Sequence, residues 1–91
     1  MNITERLTAL RAEIAGARTA VRILEEQLAF QAGVAEDAQI RALVSETPIA
    51  DRDYRIARDD LERLRRSRDD EMRRLRVLEA ECDALLDRLA G

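Results

Sequence analysis

The 91-residue chain has no histidine, no tryptophan and no lysine. It holds one cysteine, one proline, three glycines, one phenylalanine and one tyrosine. Each scarcity excludes something. Without His and with a single thiol, little is left from which to pair a nucleophile with its base. The Glu-x-x-His pattern of bundle di-iron centres cannot be written at all, and Asp69, Asp70 and Glu71, being consecutive, point in different directions on a helix. The expectation is no enzyme activity, no cofactor and no metal. One Cys forms no internal disulfide, so Cys82 does not staple a secreted scaffold. With Phe30 and Tyr54 as the only rings, a compact globular core lacks bulk. No apolar run approaches the roughly 20 residues that span a bilayer. The N-terminus is polar where a signal peptide is apolar, so the chain is expected to be soluble and cytoplasmic.

What remains is 38% charged and 46% hydrophobic, and rich in Ala, Leu, Glu and Arg, the composition of long helices. All sixteen cations are Arg, as coding bias in a GC-rich bacterial genome would give; the functional alternative is bidentate recognition of phosphate or carboxylate. The net charge of −3 divides as −3 over residues 1–51, +3 over 52–76 and −3 over 77–91.

Positions spaced alternately by four and three are mostly apolar, with Gln31, Ser45, Arg68 and Glu71 as the exceptions. In the first half they run through Ile3, Leu7, Leu10, Ile14, Ala17, Val21, Leu24, Leu28, Gln31, Ala35, Ala38, Ala42 and Ser45. In the second they run through Tyr54, Ala57, Leu61, Leu64, Arg68, Glu71, Leu75, Leu78, Cys82, Leu85 and Leu89. This is the heptad seam of a coiled coil on each side of one interruption, Ser45–Asp51, which holds the only proline. Thr47 is placed to cap a helix that Pro48 begins. The pattern predicts an all-α antiparallel coiled-coil hairpin of two long helices, about 3–45 and 49–90, roughly 60 Å long at 1.5 Å per residue. As a single unit it divides into arm 1 (about 3–45), a tip (about 46–52) and arm 2 (about 53–90). Gly33 marks either a bend, a close backbone contact or a tolerated glycine.

Two registers compete. When facing residue numbers total 92, Val21 meets Glu71, Leu24 meets Arg68, and like charges approach: Glu13 with Glu81, Arg6 with Arg88. When they total 99, Leu10 meets Leu89, Ile14 meets Leu85 and Ala17 meets Cys82. The flanks then become complementary, Glu13 with Arg88, Arg18 with Glu79 and Arg41 with Asp60. The second register is the expected one.

A two-helix hairpin buries a single seam, yet apolar residues also stand away from it. In the distal half these are Phe30, Val34, Ile40, Leu43, Val44 and Ile56, a stripe expected to bind a partner. Two-fold self-association into a four-helix bundle covers such a stripe most economically, and an unidentified protein is the other candidate. The function expected is therefore that of a non-enzymatic interaction module or small regulatory adaptor.

Two further features carry alternative functions. Arg63–Arg68 is dense in cations, and Arg65, Arg66 and Arg68 could hold a small anion such as a nucleotide. Acids lie among them at pairing distance and no aromatic residues alternate with them, which argues against nucleic acid. At the tip, Glu46, Ile49, Asp51 and Asp53 give a long rod an acidic end. In architecture this resembles the transcript-cleavage factors of the Gre type, whose coiled-coil hairpin enters the RNA polymerase secondary channel with acids at its tip. The resemblance implies a polymerase-binding regulator with the tip as effector. It stops at architecture, because the 91 residues lack that family's globular domain and the tip lacks its adjacent-acid motif. Secreted hairpin dimers with a Trp-x-Gly turn are excluded by the absence of Trp, and prefoldin-like chaperones by the absence of period-two strands.

Overall fold

A computed structural model describes residues 2–91 as two α-helices of 43 residues each, α1 (Ile3–Ser45) and α2 (Pro48–Ala90). They fold back on one another into an all-α helical hairpin with overall dimensions of 65 × 18 × 14 Å.

Local chemistry sets the helix ends. The Asn2 side chain accepts a hydrogen bond from the Glu5 backbone N–H at 2.8 Å, while its Nδ2 donates to the Glu5 carboxylate at 3.1 Å. Two polar groups at the start of α1 are thereby satisfied reciprocally. At the other end Glu46 takes the left-handed conformation (φ 52°, ψ 37°), and its N–H donates to the Ala42 carbonyl. That geometry closes a helix and suits glycine better than glutamate. Thr47 then caps α2 through its hydroxyl, which accepts from the Ala50 N–H at 3.2 Å, and Pro48 takes the first helical position. The connection is thus Glu46 and Thr47 alone. The broader 46–52 tip expected from the sequence is not formed, because the Thr47–Pro48 start signal operates immediately after the turn. Both Gly16 and Gly33 have open space where a side chain would project, so neither serves a close contact.

The seam closes in two blocks. Near the chain ends Leu10, Ile14, Ala17 and Leu78 are buried together, with Leu75, Cys82 and Leu85 packed against them. Toward the turn Ala35, Ala38, Ala57 and Leu61 form a second block, flanked by Leu28, Val34 and Tyr54. The Arg58 guanidinium lies 5.7 Å from the Tyr54 ring centroid. Between the blocks no residue from 18 to 34 or from 62 to 77 is fully buried.

The helices adopt the register near 92, and the expected register of 99 is corrected. Ser45 and Pro48 flank the two-residue turn, so facing pairs must total about 93 there. Farther along, Gln31 Nε2 donates to the Ala57 carbonyl at 3.1 Å, and Cys82 shares a groove with Leu7, Thr8 and Arg11. Leu89, the partner that a total of 99 assigns to fully buried Leu10, is 56% exposed. A shift to 99 would unwind the first turns of α2, at a cost of about 1 kcal/mol net for each hydrogen bond given up.

The like charges that oppose this register are reconciled by side-chain reach. Arg6 donates to both oxygens of Glu81, at 2.9 and 2.8 Å, and its Nη2 also lies 3.9 Å from Glu13. A single guanidinium therefore bridges the two acids that the register draws together. Of the flank pairs expected at 99, Arg18–Glu79 does form, at 3.8 Å, because long side chains reach across most of a heptad. The other two do not: Glu13 lies near Arg6, and Asp60 pairs with Arg63.

Two outcomes follow from this register. In a Leu10→Cys variant, mild oxidation should join the introduced thiol to Cys82 within one chain, whereas an Ala17→Cys variant should stay reduced. The native spacing puts that second pair about two helical turns apart, beyond disulfide reach. Gel mobility after reduction and re-oxidation reads the result. The second outcome concerns pH. The hydrogen bonds from Arg6 hold the Glu81 carboxyl below its ordinary 4.5, with partial opposition from desolvation. The same contact raises the Arg6 pKa, so Arg6 remains charged throughout. Glu81 thus contributes stability above its ordinary value, and loses it as pH falls through the lowered folded value. Urea unfolding should show a larger stability loss between pH 7 and pH 3 for the parent than for Glu81→Gln.

Candidate protein-docking face

One face of the hairpin carries two adjoining grooves. The first, about 290 Å³, runs between the helices and is lined by Val34, Ala38 and Arg41 of α1 and by Asp53, Ile56 and Asp60 of α2. The second is bordered by Ile23, Gln27 and Phe30 of α1 and by Leu64 of α2. Gln31 belongs to both, so the grooves are continuous. Phe30, which borders the second groove, is 76% exposed, and Ile23 and Ile56 are also exposed. The helical period explains the strip: Ile23, Phe30, Val34 and Val44 each precede a seam residue by one, which sets them on one flank of α1.

The six residues expected to form a single distal stripe do not share one surface. Phe30, Val34 and Ile56 line the grooves, and Val44 follows the same flank toward the turn. Leu43 stands nine residues from Val34, about half a turn around α1, and Ile40 points away from the partner helix. Both are exposed, Leu43 at 71%. Linear proximity unites them; the angular period of the helix separates them. Conversely, Ile23 and the charged walls Arg41 and Asp53 belong to this face, although linear proximity does not assign them to it. The signal that finds them is the spacing of seam-minus-one positions on both helices, because an antiparallel hairpin brings those two flanks together.

The tip residues separate in the same way. Glu46 occupies the turn, Ile49 is exposed beside it, and Asp51 lies in the first turn of α2, where it favours the helix dipole. Asp53 sits farther on, in the wall of the first groove. The three acids do not converge on one point.

Two of the three arginines expected to hold an anion are engaged singly. Arg65 lies 3.6 Å from Glu62 on the preceding turn, and Arg68 Nε donates to Asp69 at 2.8 Å. Arg66 makes no ion pair among the described residues, and none of the three arginines lines either of the two grooves. Elsewhere on α2, Arg63 with Asp60, Arg73 with Asp70 and Arg74 with Glu71 give a ladder of local pairs. The exposed ones, Arg63–Asp60 and Arg73–Asp70, contribute fractions of a kcal/mol each. Among the described residues no three acids or thiols cluster as a metal site would need.

Half-buried charge occupies the middle of the seam. In the observed register Arg68 and Glu71 fall at positions that Leu fills elsewhere. Glu71 Oε2 is closed to solvent and has no hydrogen-bond donor, with Arg74 Nη1 3.6 Å away. A polar atom left without a partner in this way costs about 1–3 kcal/mol.

No protein-family model, curated protein or solved structure matches the chain. Among the described residues no helix is long and apolar enough to cross a membrane.

The charged waist gives a direct test of seam energetics. Glu71→Leu removes the unpartnered oxygen and completes the apolar seam, so it should stabilise the hairpin by about 1–2 kcal/mol. Chemical denaturation of the two proteins side by side measures the difference.

Proposed function

We propose that this protein is a non-enzymatic interaction module, a small adaptor that works through helix-face docking and associates with itself. The observation that carries the reading is the grooved apolar face, where Phe30 stands exposed between Ile23 and Val34 on a rod that buries only one seam. Burial of a face of this kind against another helical surface removes apolar area from water at about 25 cal/mol per Å². Anchors at intervals of three, four and seven residues suit the docking of a helix into a groove. Packing two hairpins through it gives four helices around a shared core, the ordinary solution for paired helices with two apolar flanks.

Support for the other two functions is weaker on the geometry. A polymerase-directed tip would rest on clustered acids, and only Glu46 occupies the turn. An anion sensor would rest on converging arginines, and two of the three are paired with neighbouring acids. The proposed setting is the bacterial cytoplasm, in keeping with the single free thiol of Cys82.

Two substitutions at equally exposed residues distinguish the faces. Phe30→Glu should convert the associated form to a monomer of unchanged helical content. Leu43→Glu, half a turn away, should leave the mass intact. Sedimentation equilibrium with circular dichroism on both variants reads this. A Phe30→Glu protein that keeps the parent mass would remove the basis for the docking face.

A further inference from the structure

The two packed blocks of the seam are tied down in different ways. At the turn, Glu46 and Thr47 alone separate the helices, so the adjoining ends of α1 and α2 cannot part while both stay wound. On the same side of the molecule Gln31 donates a hydrogen bond from α1 to the Ala57 carbonyl of α2. The other block, Leu10, Ile14, Ala17 and Leu78, closes the free ends, with no turn beside it. Among the described residues the ion pairs that join α1 to α2 are Arg6–Glu81 and Arg18–Glu79, and both lie in this half. Every other pair forms within one helix.

The waist between the blocks couples them poorly. Residues 18–34 and 62–77 contribute no fully buried side chain. Arg68 and Glu71 occupy seam positions there, and Glu71 Oε2 has no donor. Gly16 and Gly33 stand at the two edges of this stretch in α1, and neither is required by a close contact. Glycine weakens a helix relative to alanine and leaves its backbone freer to bend. Packing is also incomplete at the free ends. A groove of about 370 Å³ opens between Leu7 and Thr8 of α1 and Cys82 and Leu86 of α2, and the seam residue Leu89 is 56% exposed.

We propose that the hairpin works as tweezers: the turn-side block is a fixed clamp, the arms beyond the waist (residues 3–17 and 78–90) open and close, and Arg6–Glu81 is the latch that holds them shut. The geometry suits each part. Free ends can separate by bending at a weakly packed waist, whereas ends joined by two residues cannot. Arg6 uses Nε and Nη2 together, at 2.9 and 2.8 Å, so parting the arms breaks two charge-assisted hydrogen bonds at once. Each arm is about 20 Å long at 1.5 Å per residue. Opening uncovers Leu10, Ile14 and Leu78, three of the four large residues that the seam buries, and so exposes most of its bulky apolar surface. The device operates within one chain and does not depend on self-association.

Double electron–electron resonance on the full chain tests it. Spin labels at Ala12→Cys and Ala80→Cys report the arms, and labels at Glu36→Cys and Arg55→Cys report the turn-side block, all at exposed positions. Both pairs are placed in a Cys82→Ala background and diluted with unlabelled chain, so that only distances within one hairpin are read. The arm pair should show a second, longer component, and the turn-side pair a single narrow one. Arg6→Gln and Glu81→Gln should each raise the longer component about threefold, and the double variant no further than either alone. Arg68→Leu combined with Glu71→Leu should reduce it, because the waist then packs. Circular dichroism verifies that each variant keeps its helices. Narrow distributions at both sites in the parent and in both latch variants overturn the proposal, as does equal broadening at the two sites. An arm component that the latch variants leave unchanged overturns the role of Arg6–Glu81, and one that the leucine pair leaves unchanged overturns the waist as the hinge.

Discussion

Thr47 and Pro48 start a helix one residue after Glu46 ends another, and the rest of the molecule depends on that short connection. With two residues between the helices, Ser45 and Pro48 are held close, and the pairing of every later residue follows from counting outward at about 1.5 Å per step. A longer turn would have allowed α2 to slide by a heptad. The capping hydroxyl of Thr47 and the preset backbone of Pro48 remove that freedom at the point where sliding would begin.

The imposed register is not the one with the tidiest layers. It carries Arg68 and Glu71 into the seam and leaves Glu71 Oε2 without a donor, while it draws Glu13 toward Glu81. The second problem is solved by Arg6, whose guanidinium reaches both acids. The first is endured. Two apolar blocks, one on each side of the waist, hold the helices together with little help from the middle. Polar positions of this kind cost stability, and in coiled coils they are the usual means by which one alignment is distinguished from another.

The same antiparallel geometry creates the candidate docking face. Residues that precede the seam on α1 and on α2 fall on one flank of the hairpin, so two modest rows of side chains become a single grooved surface. Neither helix alone presents it. Phe30, the largest apolar side chain in the protein, borders the second groove rather than lying in the core. A rod 18 Å by 14 Å in cross-section has no room to bury it.

The heptad spacing, the Thr47–Pro48 start signal and the scarcity of breakers made the two helices and their antiparallel return legible in the amino-acid sequence. Those are local properties: periodicity, backbone preference and capping act within a few residues of one another. Which layers face each other was decided only by tertiary structure, because both registers satisfy a seven-residue repeat and differ only in what the turn and the long Arg6 side chain permit. The makeup of the candidate face was decided there as well. Leu43 and Ile40 are neighbours of Val44 and Arg41 along the chain, yet helix rotation sends them to other sides. Arg41 and Asp53, separated along the chain by the turn, become opposite walls of one groove because two helices lie side by side.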